Sequence, residues 1–241
     1  LADVVLSPYF TKDNQFHQHD SSHGGQGGSL PNDFSQIKFW YNGVLGLGMD
    51  AVIFHNELSK SFTLEYETDK IKFVEYQTEH RPSFNDNRFY AYYEYILNNK
   101  NIDRVFCTDL YDVVFYKNPF DLMDQKKEYS VFSGSEMITK SSSAWMTRKC
   151  KEMKYRRSRE GFSKSPIYNA GIIGGYRSVI LNLFESMINE MNSISKTFNA
   201  NMPVYNYCLE NQKNINVFTG FPLHNIFKSN RVEDGVFIKH K

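Results

Sequence analysis

Long hydrophobic runs are missing: no stretch approaches the roughly 18 apolar residues needed to cross a bilayer, so no transmembrane segment is expected. Net charge is nearly missing too. A formal balance of +1 is unlike the basic excess of a general nucleic-acid binder, and no nucleic-acid partner is expected. Cysteine is scarce. The three cysteines, Cys107, Cys150 and Cys208, are odd in number, widely spaced and never form CxxC, which argues against a disulfide framework or a zinc knuckle. No Asn-x-Ser/Thr sequon occurs. These absences lead to the expectation of a cytoplasmic protein, with room left for an anchor ahead of Leu1.

Aromatic residues, in contrast, are abundant at 16%, with 16 Tyr and 20 Phe among 241 residues. With 23% charged residues and 41% hydrophobic ones, the chain suits one large α/β domain with a full core. Val4-Val5-Leu6 reads as a buried strand that ends at Ser7-Pro8. Residues 13–32 are polar and Gly-rich and read as a mobile surface loop. His17, His19 and His23 lie there among glycines, without the carboxylate pattern of a zinc site.

A helix is expected from Asp33, carrying Ile37, Tyr41, Val44 and Leu45 on one side, and strands are expected at residues 51–54 and 71–74. Phe89, Tyr92, Tyr93, Ile96 and Leu97 follow helical spacing, and Asn98 begins a polar stop. Residues 104–108 form the next strand. This alternation predicts a mainly parallel central sheet with helices on both faces. Further on, residues 130–133 and 170–175 read as strands, the latter with glycines at its exit. A helical stripe runs from Val179 to Met191, and short late strands are expected at residues 217–219 and 236–238. No internal repeat or sharp boundary divides the chain, so a single domain is expected.

The most informative segment is Thr108-Asp109-Leu110-Tyr111-Asp112. An apolar strand delivers two carboxylates at its C-terminal end, the edge where ligands bind in open α/β sheets. Two hard oxygen donors close together suit Mn²⁺ or Mg²⁺. The plain alternative is that Asp109 caps a turn and Asp112 is a solvated charge. Asn118-Pro119-Phe120, just beyond, would end local structure abruptly so that the loop folds back under a site.

Taken in order, these segments resemble the GT-A glycosyltransferases. Thr108-Asp109-Leu110-Tyr111-Asp112 with Asn118-Pro119-Phe120 is similar to their DxD region. Tyr168-Asn169-Ala170-Gly171 through Gly174-Gly175 resembles their N-[SA]-G-x-x-G segment, and Asn201-Met202-Pro203-Val204-Tyr205-Asn206 resembles D-M-x-x-[FY]-N. The carboxylates are three apart rather than two, and Asn201 replaces an Asp of many relatives. The resemblance implies one GT-A (Rossmann-like) domain over residues 1–241, with a nucleotide-binding half over about 1–120 and an acceptor-binding half over about 121–241. It implies a UDP- or GDP-sugar donor, a carbohydrate acceptor and bound Mn²⁺ or Mg²⁺.

Position by position, the resemblance makes Asp112 a metal ligand and Asp109 a ligand of the metal or the donor ribose, beside Thr108. It also implies a C-terminal metal ligand, His240 first and His224 as the alternative, with Lys239 and Lys241 flanking His240 to meet diphosphate. Tyr9, Phe10 and Thr11 would receive the base, with either ring stacking on it or packing in the core. Arg88 would reach pyrophosphate with its fork of donors, or else be a surface charge. Asn169 and Asn201 would be catalytic residues near the sugar, and Gly171 would let backbone approach the donor, the alternative for Asn169 and its glycines being a plain turn. If the reaction inverts configuration, Glu136 is the candidate base and Asp234 a second; retention needs no such base.

The basic run from Arg148 to Arg159 either attracts diphosphate or an anionic acceptor or is a solvated loop. Two other functions compete with sugar transfer. A nucleotidyltransferase on a related sheet would want a Gly-rich loop bearing Lys or Arg, and the Gly24–Gly28 stretch has neither. A carbohydrate-binding module would keep its glycan affinity when Asp112 is replaced by Asn, whereas an enzyme would lose donor hydrolysis and transfer.

Overall fold

The computed structural model of the chain describes residues 2–11, 31–77, 79–139, 142–154, 166–194, 199–212, 214–225 and 231–240. The loop with His17, His19 and His23, the end of the basic run, and Lys241 lie outside the described residues.

Strand β1 (Ala2–Tyr9) is an interior strand of the sheet. Helix α1 (Phe34–Gly46) follows. Asp33 caps it by accepting from the Ser35 N–H, and Ile37, Trp40, Tyr41 and Val44 form its buried side. Then come β2 (Ala51–His55), α2 (Lys60–Tyr66), β3 (Ile71–Glu75), α3 (Phe84–Asn98) and β4 (Ile102–Thr108). β1 pairs in parallel with β2 on one side and β4 on the other, and β3 adds in parallel to β2. The expected α/β alternation therefore holds over this half.

The second half is built differently. A short strand β5 (Val113–Phe115), α4 (Pro119–Gln125), β6 (Val131–Thr139), α5 (Ala144–Glu152) and a long β7 (Pro166–Tyr176) are followed by α6 (Arg177–Ser193), α7 (Asn201–Asn211), β8 (Val217–Thr219) and β9 (Ile238–His240). The main sheet has seven strands in the order β3-β2-β1-β4-β7-β6-β8, and only β7 runs against the rest. β5 and β9 form a separate antiparallel pair.

The sheet is covered on both faces, as alternation along β1 dictates. Leu6 and Phe10 join a core with Phe89, Tyr92, Phe184, Met187 and Tyr205 of α3, α6 and α7. Val5 and Tyr9 join the opposite core with Trp40, Phe62, Phe120 and Leu122 of α1, α2 and α4. No described helix is long and apolar enough to cross a membrane.

Three local expectations are corrected. Asn118-Pro119 does not end structure but starts it: Asn118 accepts from the Phe120 N–H, and Pro119 occupies the first helical turn, where its missing N–H costs nothing. The basic stretch is in part helix α5, which lays Met146 and Cys150 against Ile167. β7 starts earlier than expected, at Pro166, and Gly174 and Gly175 fall just before its end at Tyr176. A Cβ on Gly174 would overlap the ring of Phe106, its partner across the β4 ladder.

Candidate metal and nucleotide site

The strand order reverses between β1 and β4: β2 and β3 add to one side, and β7, β6 and β8 add to the other. Ligand crevices of open sheets form at such a point, at the C-terminal strand edges. The Asp109 backbone N–H leaves β4 by donating to the Gly171 carbonyl at 2.9 Å. Asp112 precedes β5, whose Val113 stands opposite His240 on β9. The small β5–β9 ribbon thus brings the C-terminal histidine beside a turn more than a hundred residues earlier.

The three side chains converge. His240 Nε2 lies 3.6 Å from Asp109 Oδ2 and 3.5 Å from Asp112 Oδ2. One donor atom from each residue falls within 4.8 Å of the others. The ion-pair distances exceed hydrogen-bond length and match donors arranged around one small cation. The two aspartates are partly open, with side chains 21% and 31% exposed, while His240 is buried at 3%. A carboxylate pair reachable from solvent and fixed by a buried imidazole is a donor set that suits a divalent ion.

Backbone shape makes the space. The β6–β7 register jumps between Ser133 and Gly134, so that Ser133 faces Ile173 while Gly134 faces Asn169, and residues 170–172 are left out of that ladder. Gly171 sits in this bulge against the cluster. A Cβ there would collide with His240 Cε1 and stand 2.5 Å from Asp109 Oδ2. The Asn169 side chain steadies the bulge, accepting from the Gly171 N–H at 2.8 Å and donating to Glu136 Oε1 at 3.3 Å.

Arg88 is buried rather than on the surface. It pairs through Nη1 with Asp109 Oδ1 and donates from Nη2 to the Ala170 carbonyl at 3.2 Å and to Asn201 Oδ1 at 3.5 Å. Burial works against its charge, and Asp112 and Asp86 are among the groups that support it. Asn201, placed near the sugar by resemblance, is buried and forms a structural joint. Its N–H and Nδ2 both donate to Asp86 Oδ1, at 2.8 and 2.9 Å, and the Ala200 N–H donates to Asp86 Oδ2 at 3.1 Å. Asp86 therefore ties the start of α7 to α3. A lone Asp in the first turn of a helix gave no sign of this, because its partners lie over a hundred residues away.

Other expected residues fall elsewhere. The Tyr9 and Phe10 rings are sealed in opposite cores. Tyr9 meets Phe62 and Tyr111 edge-on, and Phe10 packs on Tyr76 and Phe84, so neither ring is open to stack on a base. Thr108 turns inward: its Oγ1 accepts from Trp40 Nε1 at 2.9 Å, and its carbonyl accepts from the Ser7 hydroxyl at 2.8 Å. Lys239 is buried beside His240. Asp234 is exposed next to a turn that closes from Val236 N–H to the Glu233 carbonyl.

His224, the alternative ligand, has both ring nitrogens engaged. Its Nε2 accepts from the N–H groups of Ser135 and Gly220, both at 3.1 Å, and its Nδ1 faces the Asn225 carbonyl at 2.7 Å. Burial lowers its pKa from the ordinary value, and the nearby His240 acts in the same direction. This leaves a neutral ring whose lone pair already serves backbone donors.

At the β1 and β2 tips, the Thr11 N–H donates to Asn56 Oδ1 at 2.9 Å. Thr11 Oγ1 and Asn56 Nδ2 are buried there without a hydrogen-bond partner. Asn56 was not singled out from the sequence, since one polar residue after a strand looks like any turn residue.

No family model matches the sequence, and no curated protein matches it either. Solved structures do. One is a crystal structure of the galactosyltransferase LgtC in complex with donor and acceptor sugar analogs. It superposes with a TM-score of 0.58 at 10% identity, over 99% of this chain and 86% of that one. The chain has the GT-A glycosyltransferase fold. At this identity the likeness concerns backbone architecture. The mixed sheet and its reversal point belong to that architecture.

Proposed function

We propose that the chain is a metal-dependent glycosyltransferase that takes a sugar from a nucleoside-diphosphate sugar, of the UDP or GDP type, to a carbohydrate acceptor. The observation that carries this reading is the convergence of Asp109, Asp112 and His240 at the reversal point of a GT-A sheet. These three residues would hold Mn²⁺ or Mg²⁺. When bound, the ion supplies positive charge against the departing diphosphate.

The chain's own groups would do the rest. Thr11 Oγ1 and Asn56 Nδ2, buried and unpartnered, would hydrogen-bond the base and recover the cost of their own desolvation. The Gly171 bulge would let the sugar lie close to backbone. Glu136, held by Asn169, would orient the acceptor hydroxyl and take its proton if configuration inverts. Much of the rate would then come from orientation and fixed charge. The LgtC structure, which holds donor and acceptor sugar analogs, supports the reading through its shared fold.

The test is a thermal-shift screen of UDP- and GDP-sugars with and without Mn²⁺, alongside donor hydrolysis. A true donor should raise the melting temperature only with the ion present. Asp112→Asn should lose that shift and at least about a hundredfold in hydrolysis. A variant that keeps both the shift and the hydrolysis would remove sugar transfer at this site from consideration.

A further inference from the structure

The two oxygens of Asp109 face different ways. Oδ1 is paired with the Arg88 guanidinium, and Oδ2 faces His240. Arg88 cannot lose its proton to relieve this arrangement. Nor is it placed to swing out. Its side chain is 4% exposed, and its Nη2 is tied to the Ala170 carbonyl and to Asn201, which Asp86 locks in turn. A fixed positive charge therefore sits directly behind a site whose attraction for cations rests on two carboxylates. With a neutral imidazole as third donor, Arg88 cuts the formal site charge from two negative to one.

We propose that Arg88 sets the order of binding: it makes the site a poor trap for a bare divalent cation and a good one only when a nucleoside diphosphate arrives with it. The inference rests on the proposed metal site. Its physical basis is like-charge repulsion across a short gap that is closed to solvent on the Arg88 side. With an effective dielectric near 20, a unit charge some 6–7 Å from a divalent cation weakens its binding by about a thousandfold or more, before solvent on the open side screens it. A diphosphate reverses the balance because its negative oxygens complete the shell from the open side, where the aspartates are exposed. Arg88 is thus a positioning residue. It holds one oxygen of Asp109 and turns the other towards the ion, and it keeps the resting site from filling with free cation. By linkage, nucleotide and cation must then strengthen each other by the same factor.

The experiment measures Mn²⁺ bound to metal-free protein from the loss of the free-ion EPR signal. It is run without nucleotide, with UDP and with GDP, each beside a protein-free control for ion held by the nucleotide itself. For the unaltered chain, the expected result is that one nucleotide tightens Mn²⁺ binding at least about tenfold. Arg88→Met should bind bare Mn²⁺ about tenfold or more tighter and lose most of the nucleotide-linked gain, whereas Arg88→Lys should keep the unaltered order. Equal Mn²⁺ affinity with and without nucleotide in the unaltered chain overturns the proposal, and that comparison decides the matter even if Arg88→Met fails to fold. A folded Arg88→Met that binds bare ion no tighter overturns it as well. Absence of Mn²⁺ binding under every condition would defeat the metal site itself, an outcome distinct from a failure of the Arg88 role.

Discussion

At the scale of single residues, the site depends on one missing side chain. Gly171→Ala places a methyl group where Asp109 Oδ2 and His240 meet, at 2.5 Å from the carboxylate oxygen. One of the donors must move, so Mn²⁺ affinity measured by titration calorimetry should fall by about ten- to a hundredfold while far-UV circular dichroism is unchanged. Full affinity in this variant would show that the donors are not held as described. His224 gives a pH effect. Its folded pKa lies below the unfolded value near 6.5, chiefly through burial, so the unfolded chain binds the extra proton more readily. The stability from neutral His224 is complete above that value and is lost as pH falls through the lowered folded pKa. His55, also lowered by burial, adds in the same direction. Melting temperature should therefore drop on acidification below about pH 6.5, and His224→Gln should flatten that slope, though from a lower starting stability.

At the scale of elements, Asp86 joins α3 to α7. It is fully buried and accepts from Ala200, from the Asn201 backbone and from the Asn201 side chain, and Arg81 Nε lies 4.0 Å from its Oδ2. Asp86→Ala removes the acceptor but leaves those donors buried. A loss of about 3 kcal/mol is expected in urea unfolding. An unchanged unfolding midpoint would contradict this role.

Legibility also varies by element. α1, α3 and α6 show in the sequence because each buries a repeated stripe, such as Ile180, Leu183, Phe184, Met187 and Met191. α5 does not show, because only Met146 and Cys150 of its residues are buried and the charges around them dominate. α7 was hidden by Pro203, which looks like a breaker but falls in the first turn, where a proline needs no partner. β5 and β9, at three residues each, are too short for any periodic signal, and their pairing is a fact of tertiary structure alone.

At the scale of the whole molecule, one seven-stranded sheet runs through both halves of the chain, with β7 inserted between β4 and β6. The site draws on both: Asp109 and Asp112 come from the first half, Gly171 and His240 from the second. The sequence reveals the carboxylate-bearing strand end, because an apolar run followed by two aspartates is a local pattern. It leaves His240 and His224 as alternatives, since choosing between them requires knowing which ring already serves backbone N–H groups. It also places aromatic rings at the nucleotide edge that the structure gives to the cores. An alternating strand buried on both faces has nowhere else to put Tyr9 and Phe10.

The most direct test is a crystal grown with UDP or GDP and MnCl₂, with anomalous scattering recorded near the manganese edge. The expected result is one strong peak within coordination distance of Asp109 Oδ2, an Asp112 oxygen and His240 Nε2, with the diphosphate on its open side. Ordered nucleotide with no peak among these three side chains, or a peak held by other residues, would contradict the proposed metal site and the function built on it.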